Sequence, residues 1–183
     1  MNVPTLDLSK FISGNDQERK TFSDDLGQSF NQTGFAIIKN HDLEKELTDE
    51  LYKVIKAFFD LEDEKKIKYY FPDLYGQRGY VVKGQEHAKG SKKGDLKEFF
   101  HIGNPSISNP RNIWPHEVES FNEIGSEVFI TLENIGLTLL RAISMYLNLD
   151  INYFEDKVKG GESILRSIHY FPLDPSDISD GAV

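Results

Sequence analysis

Five histidines, His41, His87, His101, His116 and His169, are the residues here best suited to metal or proton chemistry. A mononuclear iron site of the two-histidine-one-carboxylate type opens on His-x-Asp or His-x-Glu. Alternate residues of a strand share one face, so both ligands then reach the same ion. None of the five histidines has an acid two residues on. Asp42 follows His41 directly and would point to the opposite side, and His116-Glu117-Val118-Glu119 reads as a helix start capped beside Pro115. Each histidine therefore reads as structural or exposed, with no catalytic residue and no metal ligand assigned. Cysteine is absent, which excludes thiol catalysis and cysteine-bound metals, and there is no Gly-x-Ser-x-Gly nucleophile elbow. The segment Gly84-Gln85-Glu86-His87-Ala88-Lys89-Gly90-Ser91-Lys92 approaches a phosphate-binding loop, but its spacing is wrong and no helical stripe follows. Residues 83–95 read as a mobile, solvated basic loop, the sharper alternative being a lid over an anionic substrate.

The elements that would position any such chemistry follow from periodicity. Val3–Leu8 alternates as a short strand, and Asn15 or Asp16 caps a helix running to about Asn31. Phe35–Ile38 is a wholly apolar run and reads as a buried strand. Leu47, Leu51, Val54, Ile55, Phe58 and Phe59 make a helical stripe within 43–61. The charged turn Glu62–Lys66 after it reads as a solvated face. Short strands are expected at Gly79–Val82 and Leu96–Ile102, a long helix over 117–149, a short one over 152–158, and a strand over 163–171.

With 183 residues, 38% of them hydrophobic, the chain is long enough for one packed domain. A net charge of −9 argues against nucleic acid or an anionic membrane as partner, and no uninterrupted apolar run approaches the roughly 18 residues of a span. The composition suits a cytoplasmic protein.

Several segments, in order, resemble the N-terminal part of the isopenicillin N synthase-like family of iron(II)/2-oxoglutarate-dependent oxygenases. They are Val3–Leu8, Gly34-Phe35-Ala36-Ile37-Ile38-Lys39-Asn40-His41, Phe58–Lys65, Arg78-Gly79-Tyr80, Asp95–Phe100, Asn112-Ile113-Trp114-Pro115 and Leu165–Pro172. Asp42 stands where the family has glycine, and Phe171 intervenes before Pro172. The resemblance implies an α+β fold, with helices packed on a partial double-stranded β-helix (jelly-roll) sheet that stops before the catalytic barrel is complete. Residues 1–116 would form the family-like N-terminal region and 117–183 the long helix and first barrel strand, together one incomplete domain.

The resemblance also implies Fe(II) and 2-oxoglutarate as cofactors of the whole protein, neither bound by this chain alone, and a small-molecule substrate that is hydroxylated, desaturated or cyclised. Tyr170 matches a tyrosine facing the cofactor pocket, although a core tyrosine with a locally satisfied hydroxyl is equally compatible. Arg166 shares its strand face with Ile168 and Tyr170 by the period-two rule and is the candidate substrate contact. Uncovered barrel-facing residues would favour self-association. A non-catalytic acidic helical interaction module is the competing class. The family's His-x-Asp, second histidine and 2-oxoglutarate-binding Arg-x-Ser lie beyond the matched segments. Residues 1–183 alone are therefore expected to give no stoichiometric site in an anaerobic ferrous-iron titration and no 2-oxoglutarate decarboxylation. Either signal would overturn this reading.

Overall fold

Asn15 begins the first long helix. Its side chain accepts the Glu18 N–H at 3.0 Å while the Glu18 carboxylate accepts the Asn15 N–H at 3.0 Å, a reciprocal capping box. In this computed structural model, which describes residues 2–85, 95–107 and 110–172, that helix is α2 (Asp16–Thr33). It ends at Gly34, whose φ of +78° is the left-handed stop that glycine adopts without strain. Before it stand β1 (Thr5–Asp7) and the short α1 (Ser9–Ile12), and after it β2 (Ile37–Lys39). β1 and β2 pair in parallel, which the intervening helical crossover makes possible.

The chain divides into two compact units. The first takes Met1–Lys45 and Ile130–Gly161. Its core joins Leu6, Leu8, Phe11, Phe22 and Leu26 to Ala142, with Ile135, Leu139 and Ile143 packed against them, from the later part of α5 (Phe121–Tyr146). Arg141 on α5 pairs with Glu155 at the start of α6 (Glu155–Val158), Nη2 to Oε1 2.5 Å.

The second unit takes Glu46–Phe129 and Glu162–Val183. It holds most of α3 (Lys45–Phe59), then α4 (Asp63–Lys66), β3 (Gly79–Val81), β4 (Lys97–Gly103), the first part of α5, and β5 (Ile164–Tyr170). The three strands form an antiparallel sheet in the order β3-β4-β5. Phe58, fully buried on α3, makes edge-on ring contacts with Phe59, Tyr69, Tyr80, Phe100 and Phe121 at centroid distances between 4.7 and 6.0 Å. Edge-on pairs are each worth about 0.5–1.5 kcal/mol beyond the area they bury. One side chain thus ties α3 to β3, β4 and α5.

The mixed helix-and-sheet class agrees with the sequence reading, and three local expectations do not. Phe35–Ile38 is not buried: Phe35 is 68% and Ile37 52% exposed, because among the described residues β2 pairs only with β1. The turn at 62–66 is not merely a solvated face, since Lys66 is 3% exposed. Residues 116–120 are turns rather than the capped start of a helix, and α5 begins at Phe121. The expected mobile loop of 83–95 lies mostly outside the described residues. At its base, the Gly84 N–H donates to the Asp95 carbonyl at 3.0 Å.

Gly27 on α2 lies against the ring of Tyr146, where a Cβ would sit 2.3 Å from Cδ1. Tyr146 cannot swing aside without losing the hydrogen bond that its hydroxyl accepts from Asn31 at 2.8 Å. Gly27→Ala is expected to destabilise the fold by about 1–3 kcal/mol despite alanine's better helix propensity, read as a lower urea midpoint.

Candidate functional site

Strand alternation gives the β3-β4-β5 sheet two unlike faces. From β4, Glu98, Phe100 and Ile102 project to one side, and their partners on β5 are His169, Ser167 and Leu165. That side carries the aromatic core around Phe58. Lys97, Phe99, His101 and Gly103 project to the other side, opposite Tyr170, Ile168, Arg166 and Ile164.

This second face brings both predicted site residues together. Tyr170 is 59% exposed and Ile168 45%, so neither is a core residue among the described residues. The Arg166 guanidinium lies over the Phe99 ring, Cζ 4.8 Å from its centroid. Lys97 stands 5.9 Å from the Tyr170 ring centroid and pairs with Asp95 at 2.7 Å. His101 is buried beside them, its Nδ1 on the Gly76 carbonyl.

Arg78, 1% exposed, occupies the same side at Gly103: a Cβ there would come within 2.0 Å of its Cζ. Its Nη1 donates to the Gln77 carbonyl at 2.7 Å, while Nε and Nη2 have no hydrogen-bond partner among the described residues. Arg78, Lys97 and Arg166 make this face cationic in a chain of net charge −9, a setting suited to a carboxylate ligand. Among the described residues no three His, Asp or Glu side chains converge.

The other histidines keep to local roles. His41 Nδ1 accepts the Leu43 N–H at 3.3 Å. The His116 N–H donates to the Tyr69 hydroxyl at 3.0 Å, and that hydroxyl donates to Glu117. His87 lies outside the described residues.

Residues 3–117 match the family model described as the N-terminal region of a non-haem dioxygenase in morphine synthesis. The chain belongs to this family. It is 32% identical over 176 residues to a leucoanthocyanidin dioxygenase of Malus domestica, covering 94% of this chain and 49% of that protein. It is 30% identical over 198 residues to the 2-oxoglutarate-dependent dioxygenase ecdK of Aspergillus rugulosus, covering 99% and 60%. Among solved structures, a full-length Neurospora crassa protein in complex with alpha-KG superposes with a TM-score of 0.85 at 26% identity, covering 99% of this chain and 58% of that one. A 2OG-Fe(II) oxygenase family protein of Caulobacter crescentus gives 0.80 at 34% identity, covering 93% and 57%. The chain spans about half to three-fifths of the length of these two curated relatives.

Sequence reasoning missed what lies behind the face. Glu98, fully buried in the three-stranded sheet, accepts from Lys66 Nζ at 3.0 Å, from the Tyr80 hydroxyl at 2.5 Å and from His169 Nδ1 at 2.8 Å. The only signal for it was an acid directly before two phenylalanines in a strand, Glu98-Phe99-Phe100.

Burial, and then the bond to Glu98, push the Tyr80 phenol up. Burial opposes the charge on Lys66, but its hydrogen bonds to Glu98 and Asp63 outweigh that and raise its pKa above the ordinary 10.5. Both groups hold their protons more tightly folded than unfolded. The stability they contribute is therefore fully present below the unfolded values, 10.0 for tyrosine and 10.5 for lysine, and is lost as pH rises through the folded ones. Urea midpoints at about pH 8.5 and about pH 11 should differ markedly in the native protein and less in Tyr80→Phe, which lacks one of the two groups.

Proposed function

We propose that this chain is the N-terminal portion of a cytoplasmic non-haem iron(II)/2-oxoglutarate-dependent oxygenase that oxidises a small molecule. In this reading, β3-β4-β5 is the entry part of a jelly-roll barrel, residues 1–116 and 117–183 form one incomplete domain, and the cationic face of the sheet looks into the reaction pocket. The observation that carries it is that face: Arg166 and Tyr170 share one side of an open strand with Ile168 between them, opposite the helix-packed core. The family match over residues 3–117 supports the class.

In the oxygenase, Tyr170 would donate its hydroxyl to the cofactor 2-oxoglutarate, whose carboxylates are acceptors only. Arg166 would orient a substrate oxygen, its fork already braced against Phe99. Ile164 and Ile168, between and beside them, would keep water from the pocket. Among the described residues no three candidate iron ligands converge. Left uncovered in the isolated chain, the same apolar and aromatic groups would favour self-association.

In the whole protein, Arg166→Ala should raise KM for the organic substrate by about 10–100-fold, with the KM for 2-oxoglutarate little changed. Tyr170→Phe should raise KM for 2-oxoglutarate by about tenfold. Whole protein that shows no iron-dependent decarboxylation of 2-oxoglutarate would overturn the proposed class.

A further inference from the structure

The charge of Glu98 is already answered without His169. Lys66 Nζ lies 3.0 and 3.3 Å from its two oxygens, and the Tyr80 hydroxyl completes the pair. Asp63, 3.1 Å from Lys66 Nζ, is 93% exposed and screened by water, so the ammonium answers chiefly the buried Glu98. The bond from His169 is thus not needed to bury the carboxylate. What it adds is a link from a fixed point, held by α4 and β3, to β5.

That link is well defined. A carboxylate only accepts, so Nδ1 of His169 must carry the proton that Glu98 receives. The imidazole is also stacked on Phe59, with centroids 5.2 Å apart and planes 25° from parallel, and it lies 4.9 Å from the Phe171 ring, over which Lys83 Nζ sits at 4.9 Å. Glu98 and His169 face each other in the strand register, and Lys97 with Tyr170 is the last pair of that ladder. His169 is therefore the final side chain gripping β5 from the core side before Tyr170 projects from the other.

We propose that Glu98, acting through His169, is a positioning pair that fixes the phase of the β5 end, and with it the direction in which Tyr170 and Arg166 present their polar atoms. The proposal rests on the reading that those two residues face the reaction pocket. Small displacements of a positioning group are costly, since about 1 Å of misplacement can lower a rate about a hundredfold. A purely structural contact would lower stability and leave substrate affinity alone.

The test is made in the whole protein, with ferrous iron, 2-oxoglutarate and its substrate. His169→Phe keeps a ring against Phe59 and Phe171 but removes the donor, whereas His169→Asn keeps an N–H close to the Nδ1 position. The pair predicts that His169→Phe raises KM for 2-oxoglutarate or substrate by about tenfold with a smaller change in kcat, and that His169→Asn returns within about threefold of wild type. Nitrogen-15 spectra of the wild-type ring should show the proton on Nδ1.

His169→Phe kinetics within about twofold of wild type, while Tyr170→Phe and Arg166→Ala are impaired, would overturn the positioning pair and leave the pocket reading intact. If Tyr170→Phe and Arg166→Ala are themselves unimpaired, the pocket reading fails and the proposal fails with it. Should His169→Phe not fold, the wild-type tautomer and the asparagine variant decide. An Nδ1 without a proton, or an asparagine variant with KM raised as far as about tenfold, would overturn the pair.

Discussion

A carboxylate removed from water must be surrounded by donors, and the Glu98 carboxylate imposes that demand on every element around it. Burying an unpaired ion costs several kcal/mol even after the protein relaxes. α4 has to end where Lys66 reaches inward and β3 has to present the Tyr80 hydroxyl, and the carboxylate so fixed then receives His169 from β5. Three short elements with little intrinsic stability are thereby held in one arrangement. The aromatic contacts of Phe58 then fill the space between this polar knot and the helices with rings that need no polar partner.

The sheet that carries Glu98 separates two environments through single-residue alternation. Toward α3 and α5 it is apolar around the one satisfied charge. On the reverse it gathers arginine and lysine, although acids outnumber bases across the chain, 30 to 21. A cationic concentration of this kind focuses an attractive field for small anions while the overall negative charge discourages polyanions. The close approach of Arg78 to Gly103 shows how densely that side is built, because even a methyl group at 103 would displace the guanidinium.

Elements with strong local signals were legible in the residues alone. The α2 cap at Asn15, the apolar stripe of α3, the long α5 and the β5 alternation that sets Arg166 on the same face as Tyr170 all follow from nearest-neighbour rules. What escaped depends on partners far apart in the chain. Lys66 sits in a run of charges that resembles any solvated turn, and only Glu98, 32 residues on, explains its burial. His169 lacks ligand spacing and read as structural, yet its partner lies 71 residues upstream. Phe35–Ile38 misled for the opposite reason. An apolar run promises burial only when a covering element exists, and periodicity does not count neighbours.

The middle strand of the antiparallel sheet has an implication for synthesis. β4 is paired with β3 from nearby sequence but with β5 only after about 60 further residues, the stretch between Gly103 and Ile164. At roughly 5–20 residues per second, that stretch keeps one edge of Lys97–Gly103 without its partner for on the order of 3–12 s on the ribosome. The strand carries two adjacent phenylalanines, and its open edge is a template for pairing with another chain. Lys97, at the end of that strand, is the one lysine in it and so the residue placed to discourage such pairing until β5 emerges.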